Sequence, residues 1–240
     1  MSLFNNITSD ESIANEKDSL GGARTLESGA YNFTIKLAYV IRAASEAMGV
    51  VLELESDKGE KLKVTEYVTS GKEKGCKHYY ERNGEKHYLP GFNNINSVCL
   101  LSIGKELKDM SHEEKMVPLY NKDAKAEVPT KVPVLVDLIG QQITLGVIRE
   151  IHNKSKWNDV TKTRDVVEGT IEQNSVDKVF RTRDYKTTNE VRGQVAEAVF
   201  YNQWIEKNAG KDRDKTKAGA ATGTGTAGAP AAKPKQSLFS

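Results

Sequence analysis

Apolar and polar positions alternate with period two along much of the first seventy residues, the signature of half-buried strands. Tyr31, Phe33, Ile35, Leu37 and Tyr39 alternate with Asn32, Thr34, Lys36 and Ala38, after a turn at Glu27-Ser28-Gly29. The apolar pair Val40-Ile41 breaks that phase, as a bulge would. Residues 48–55 repeat the pattern with Val50, Leu52 and Leu54 on one face, and Asp57-Lys58-Gly59 predicts a hairpin turn. In residues 61–69, Leu62, Val64 and Val68 point inward, leaving Lys61, Lys63, Thr65 and Tyr67 on the opposite face. After Pro90-Gly91 the period changes. Ile95, Val98 and Leu101 have helical spacing, with Asn93 or Asn94 as cap. Pro118, Pro129 and Pro133 predict loop with short helical pieces, followed by one or two helical turns over 134–139. Residues 141–151 read as a strand, 154–162 as a polar hairpin loop carrying Trp157, 165–173 as a shorter strand, and 189–207 as a helix.

Three meandering strands, a helix and two further strands predict a mainly β fold. The order is that of the five-stranded Greek-key OB barrel, with its helix between strands three and four. The expected organisation is an arm over 1–25, the barrel and a C-terminal helix over 26–210, and a tail over 211–240. The arm is polar and slightly acidic. The tail is rich in Ala, Gly and Thr and has no bulky apolar residue before Leu238-Phe239, so it cannot bury a core and is expected to be disordered. The tripeptide Ser-Leu-Phe occurs at 2–4 and again at 237–239.

Charge sharpens this picture. The chain of 240 residues has a net charge of +2, but the tail from Lys211 holds six Lys/Arg against two acids, a net of +4, which leaves −2 for residues 1–210. A nucleic acid would therefore have to find a local basic patch. The patch that stands out is KEKGCKHYYERNGEKHY, residues 72–88. It contains Lys72, Lys74, Lys77, Arg82 and Lys86 with Tyr79, Tyr80 and Tyr88, around an Asn83-Gly84 turn signal. Cations track a phosphate backbone and aromatic faces stack unpaired bases, so this composition suits single-stranded nucleic acid. It also suits a solvated hairpin whose tyrosines pack on the body. Long loops after strand three and between strands four and five frame the binding face of an OB barrel. The expected interface therefore joins these residues to Lys61, Lys63 and Tyr67 and, from the second loop, to Lys154, Lys156, Trp157, Lys162 and Arg164. Leu238 and Phe239 have the form of a partner-docking tip on a linker.

Catalytic and cofactor motifs are wanting. Residues 223–228 match G-x-G-x-x-G, but no strand precedes them and no helix follows, so a phosphate would have no helix N-terminus to rest on. The chain lacks a P-loop and a nucleophile-elbow pattern. Glu106-Leu107-Lys108 has the E-x-K form used by some nucleases, without a partner carboxylate nearby in sequence. Cys76, His78, His87 and Cys99 fall within 24 residues, but C-x-H-x8-H-x11-C is not a standard zinc spacing. They read as a core cysteine and two surface histidines. No metal and no cofactor is expected. Two cysteines fit a reducing compartment, and no apolar run is long enough to span a membrane, so the expectation is a cytoplasmic protein.

Three blocks carry a family resemblance: LESGAYNFTIKLAYVIRAASEAMGVVLELE, HYLPGFNNINSVCLLSIGKEL and VPVLVDLIGQQITLGVIREI. Across residues 20–210 the chain resembles the single-stranded DNA-binding proteins of tailed bacteriophages, in particular podoviruses of the N4 type. The resemblance implies an OB-fold, non-enzymatic protein that coats single-stranded DNA in phage replication and recombination within the host cytoplasm. It also implies a tail that contacts replication, recombination or transcription proteins. Many such proteins end in an acidic tail; this tail is basic. A protein-interaction adaptor working through the tail is the second reading.

Overall fold

The structure, a computed structural model, describes residues 25–121, 124–161 and 163–216. Residues 1–24 of the expected arm, Lys162, and residues 217–240 of the expected tail, with Leu238 and Phe239, lie outside the described residues. The fold is mainly β. Strands β1 (Gly29–Arg42), β2 (Met48–Ser56) and β3 (Lys61–Tyr67) form an antiparallel meander. A small hairpin, β4 (Tyr79–Arg82) and β5 (Glu85–Tyr88), follows, and then helix α1 (Pro90–Ile103). A second hairpin, β6 (Glu113–Asn121) and β7 (Ala126–Val134), precedes the long strands β8 (Gln142–Asn158) and β9 (Thr163–Phe180). Helices α2 (Thr188–Arg192) and α3 (Val199–Asn208) and the short β10 (Arg213–Asp214) complete the described elements.

β8 pairs with β1 and β9 pairs with β8, so the long strands lie in the order β9-β8-β1-β2-β3, with α1 between the third and the fourth. This is the strand order the OB barrel requires. The sheet is not closed: among the described residues no ladder joins β3 to β9. α1 fills that seam. Asn94 donates its amide to Glu66 on β3 (3.3 Å) and to the Val176 carbonyl on β9 (3.0 Å), tying the two edges through the helix. Burial pushes the Glu66 carboxyl above its usual range, although the Asn94 bond works against that. Ile95, Val98, Cys99 and Leu101 of α1 enter a core with Phe33, Ile35, Leu52, Leu54, Leu62, Val64, Leu145 and Val147.

Several details differ from the sequence expectation. The phase break in β1 falls at Lys36, where the register with β2 shifts between Ile35 and Leu37, and not at Val40-Ile41. The shift turns Leu37, Tyr39 and Ile41 to the outside of the barrel. They are apolar there because the outside is covered. The segment expected to be loop is the β6–β7 hairpin, which lays Val117, Val132 and Val134 on Tyr39 and Val51 as a second core. Its prolines do not break it because Pro118 faces Pro129 on a two-stranded arm with free edges. α1 starts at Pro90, not Asn94, since proline suits the first helical position. The expected loop 154–162 is largely ladder: β8 and β9 continue outward as a two-stranded arm, with Lys156 opposite Asp165 and Trp157 opposite Arg164. The single helix expected over 189–207 is two helices, α2 being closed by Gly193 after a Thr187–Glu190 capping box.

Residues 211–216, assigned to the tail on composition, are fastened to the barrel. β10 pairs parallel with β8 at Glu150 and Ile151. Arg149 chelates Asp212 through two bonds (2.8 and 2.9 Å), Lys215 reaches the buried Glu150 (2.8 Å), and Arg213 reaches Asp177 (2.8 Å). Burial pushes the Glu150 carboxyl up, but bonds from Lys215, Ser175 and His152 bring it below its usual range. Asp177 is likewise held low against burial, by Trp204 and Arg213. The Trp204 indole lies on Gly146, where a Cβ would come within 2.8 Å of the ring. Among the described residues no helix is long and apolar enough to cross a membrane.

Candidate nucleic-acid interface

Asn83 and Gly84 both adopt positive φ (53° and 81°), the two-residue turn that Asn-Gly favours, and it folds β4 onto β5. Tyr79 then stands opposite Tyr88 and Tyr80 opposite His87. The preceding residues are pinned to the β1–β2 turn. The Lys72 amide donates to the Ser45 carbonyl (2.7 Å), the Lys72 ammonium pairs with Glu46 (3.1 Å), and Gly71 sits so close to Ser45 that a Cβ would meet its carbonyl at 3.0 Å. The Leu89 amide closes the hairpin on the His78 carbonyl (2.9 Å).

Between this loop, the hairpin and the start of α1 lies a cleft of about 900 Å³. Tyr67, Tyr79 and Tyr80 supply its aromatic faces, Lys72, Lys74 and Lys77 its cations, and Glu73 and Glu81 its acids. Tyr67 is half-exposed, its ring lying over Gly49 across the β2–β3 ladder; a Cβ on Gly49 would meet that ring at 3.3 Å. The Tyr79 ring is flanked by cations, with Lys86 Nζ 5.0 Å and Lys77 Nζ 5.6 Å from its centroid. Tyr80 is also half-exposed and leans on His87 (5.5 Å, 32°). The first turn of α1 borders the cleft at Leu89, Pro90 and Gly91 and has no side-chain cap, so its N-terminus brings a partial positive charge there. Residues 72–88 carry five bases against Glu73, Glu81 and Glu85, a net of +2 in a body that is negative overall.

Not every residue expected at the interface reaches this cleft. Tyr88 does not line this cleft; its ring packs on Phe92 (4.9 Å) and His78 (5.6 Å). Lys63 is held by Glu53 at 2.7 Å and lies over the outer core ring of Tyr39. Burial works to lower its pKa, but the Glu53 bond leaves it raised. Lys61 is at the far end of β3, about 20 Å from Tyr67 at the strand rise, opposite Glu55. Arg82 is next to the hairpin turn. Lys154, Lys156, Trp157 and Arg164 stand on the β8–β9 arm and do not line the cleft. The Trp157 indole N–H is engaged by Asp159 (3.0 Å), and the four bases at 152–172 meet four acids, a net of zero.

The sequence reading missed the residues that shape the cleft without charge or ring: Ser45, Gly49, Gly71 and Gly91. Gly91 is the most constrained. A Cβ there would stand 2.4 Å from the Tyr67 carbonyl oxygen. The Pro90-Gly91 pair, read as a terminator, was the available signal. Cys99 is a core residue whose thiol burial pushes up to about 12, while Cys76 is exposed. Among the described residues no three His, Cys, Asp or Glu side chains gather as metal ligands. No protein-family model matches the chain, and no curated protein matches it.

Proposed function

We propose that this protein binds single-stranded DNA without sequence preference, as a non-enzymatic coating protein in phage DNA replication and recombination. The observation that carries the reading is the cleft in which three tyrosines and three lysines converge beside the uncapped start of α1. Bases would stack on the half-exposed rings of Tyr67 and Tyr80, at about 1–3 kcal/mol for each base engaged. Tyr79 has a different part: its ring holds Lys77 and Lys86 in place as phosphate contacts. The absence of base-edge readout follows from the chemistry, because every base has a π-face and every nucleotide a phosphate. The OB strand order supports the reading by placing the hairpin directly after the third strand, beside the face that OB folds use for oligonucleotides.

The test is the double variant Tyr67→Ala/Tyr80→Ala, titrated with fluorescent oligo-dT. Loss of two stacking platforms predicts an affinity drop of roughly 30-fold or more, with an unchanged melting curve. Unchanged affinity in a folded double variant would remove both rings from the interface. Cleavage of the oligonucleotide in Mg²⁺ by the purified protein would instead favour a DNA-processing enzyme.

A further inference from the structure

A second cleft, about 950 Å³ in volume, borders the β4–β5 hairpin at His78 and Tyr88, and the DNA-binding reading leaves it unused. It is lined by the aromatic cluster of His78, Tyr88 and Phe92 and by Met48, Met110 and Leu119. Its volume and apolar lining are those of a site that buries a ligand. Its rim carries Arg42, Lys108 and Lys131 against a single acid, Glu106. Lys108 is engaged by Asp109 (3.0 Å) and Glu106 (3.6 Å), but Arg42 and Lys131 are exposed and make no ion pair among the described residues. The cleft therefore asks for apolar anchors attached to negative charge.

We propose that this cleft receives the protein's own N-terminal segment, with Leu3 and Phe4 as the apolar anchors. The chain carries the tripeptide Ser-Leu-Phe twice, and charge chooses between the copies. Residues 1–24 have four acids (Asp10, Glu11, Glu16, Asp18) against two bases, whereas Leu238-Phe239 follows Lys233 and Lys235. The cationic rim attracts the first and repels the second. Length permits the contact. Twenty residues separate Phe4 from Thr25, which is fastened to Glu172 on β9. Fully extended they span roughly 70 Å, against a body diameter of roughly 40 Å for a domain of this size. Tethering gives an effective concentration on the order of 1 mM, far above that of a second copy at micromolar protein. An intrinsic Kd of about 0.1 mM would then fill about nine-tenths of the clefts and slow exchange of the covered amides roughly tenfold.

The experiment uses the full chain with p-benzoylphenylalanine at position 4, irradiated and mapped by mass spectrometry. The expected products are cross-links within one chain to Met48, Phe92 or Met110, reduced severalfold in Arg42→Glu/Lys131→Glu. In parallel, Leu3→Ala/Phe4→Ala should speed amide exchange over residues 107–112 roughly tenfold, while Leu238→Ala/Phe239→Ala leaves it unchanged. Cross-links only between chains would make the occupant a second copy and overturn the proposal. So would protection lost on changing Leu238 and Phe239, cross-links that map elsewhere, or no cross-link and no change in exchange.

Discussion

Gly91→Ala puts the join between helix and barrel under direct test. The new methyl carbon would stand 2.4 Å from the Tyr67 carbonyl oxygen, 2.9 Å from its amide nitrogen and 3.0 Å from its carbonyl carbon. All three are backbone atoms of the last β3 residue, so no side-chain rotation relieves the contact. α1 must slide away from β3 and loosen the Asn94 bridge across the open seam. Overpacking of this kind costs about 1–3 kcal/mol, and backbone contacts this short belong at the upper end. Alanine returns about 1 kcal/mol of helix propensity over glycine. The clash wins, leaving a net loss of about 2 kcal/mol. At roughly 2–4 °C per kcal/mol for a domain of this size, the melting temperature should fall by roughly 4–8 °C. Circular dichroism melts of wild type, Gly91→Ala and Gly91→Ala/Tyr67→Ala measure it. Because the obstacle is backbone, truncating Tyr67 should not restore the loss. A melting temperature equal to or above wild type in Gly91→Ala would refute the packing of α1 on β3.

Other expectations follow from charge and burial. Glu66→Gln keeps an acceptor for Asn94 while removing a carboxylate whose folded pKa is raised by burial; such a group loses stability as pH rises through that value. The variant should therefore melt higher than wild type at neutral pH, with the gain fading as pH falls toward the ordinary glutamate value of 4.5. Glu150 and Asp177 have lowered folded values, so their contribution is present above the ordinary 4.5 and 3.8 and is lost as pH falls through the folded values. In Trp157→Phe, where Trp204 is the remaining tryptophan, lowering the pH from ~6 to ~3 should shift the emission as the strap at 212–215 releases; a flat profile would count against it. Lys61→Ala and Lys63→Ala should leave oligo-dT affinity within about twofold, as expected of surface changes away from the cleft.

Much of the fold was legible because its long strands each bury one face, so the alternation of Leu62 and Val64 with Lys61 and Lys63 reports the sheet directly. The β6–β7 hairpin was not legible for a related reason. Its cover over Tyr39 and Val51 buries the second face too, which blurs alternation in β1, and its prolines mimic loop. The β8–β9 arm carries charges on both strands and has little apolar burial, so its ladder left no periodic trace. At the candidate site the Asn83-Gly84 turn and the Lys-Tyr composition were readable. Which tyrosines line the cleft was not, because that depends on Phe92 and His78 meeting Tyr88 through tertiary packing. Lys63 looked like an available cation because its partner Glu53 lies on the neighbouring strand, a contact that exists only once the register is set.

The measurement closest to the central claim is the salt dependence of oligo-dT binding by the full chain. Lys74, Lys77 and Lys86 make no ion pair among the described residues; Lys74 and Lys77 line the cleft and Lys86 flanks the Tyr79 ring. Three phosphate contacts on a single strand predict that log K falls with log salt at a slope of about −2. A slope near that value, reduced by about 0.7 for each of these residues changed to alanine, is the predicted result. No binding at low salt, or an affinity indifferent to salt and to these three residues, would contradict the account.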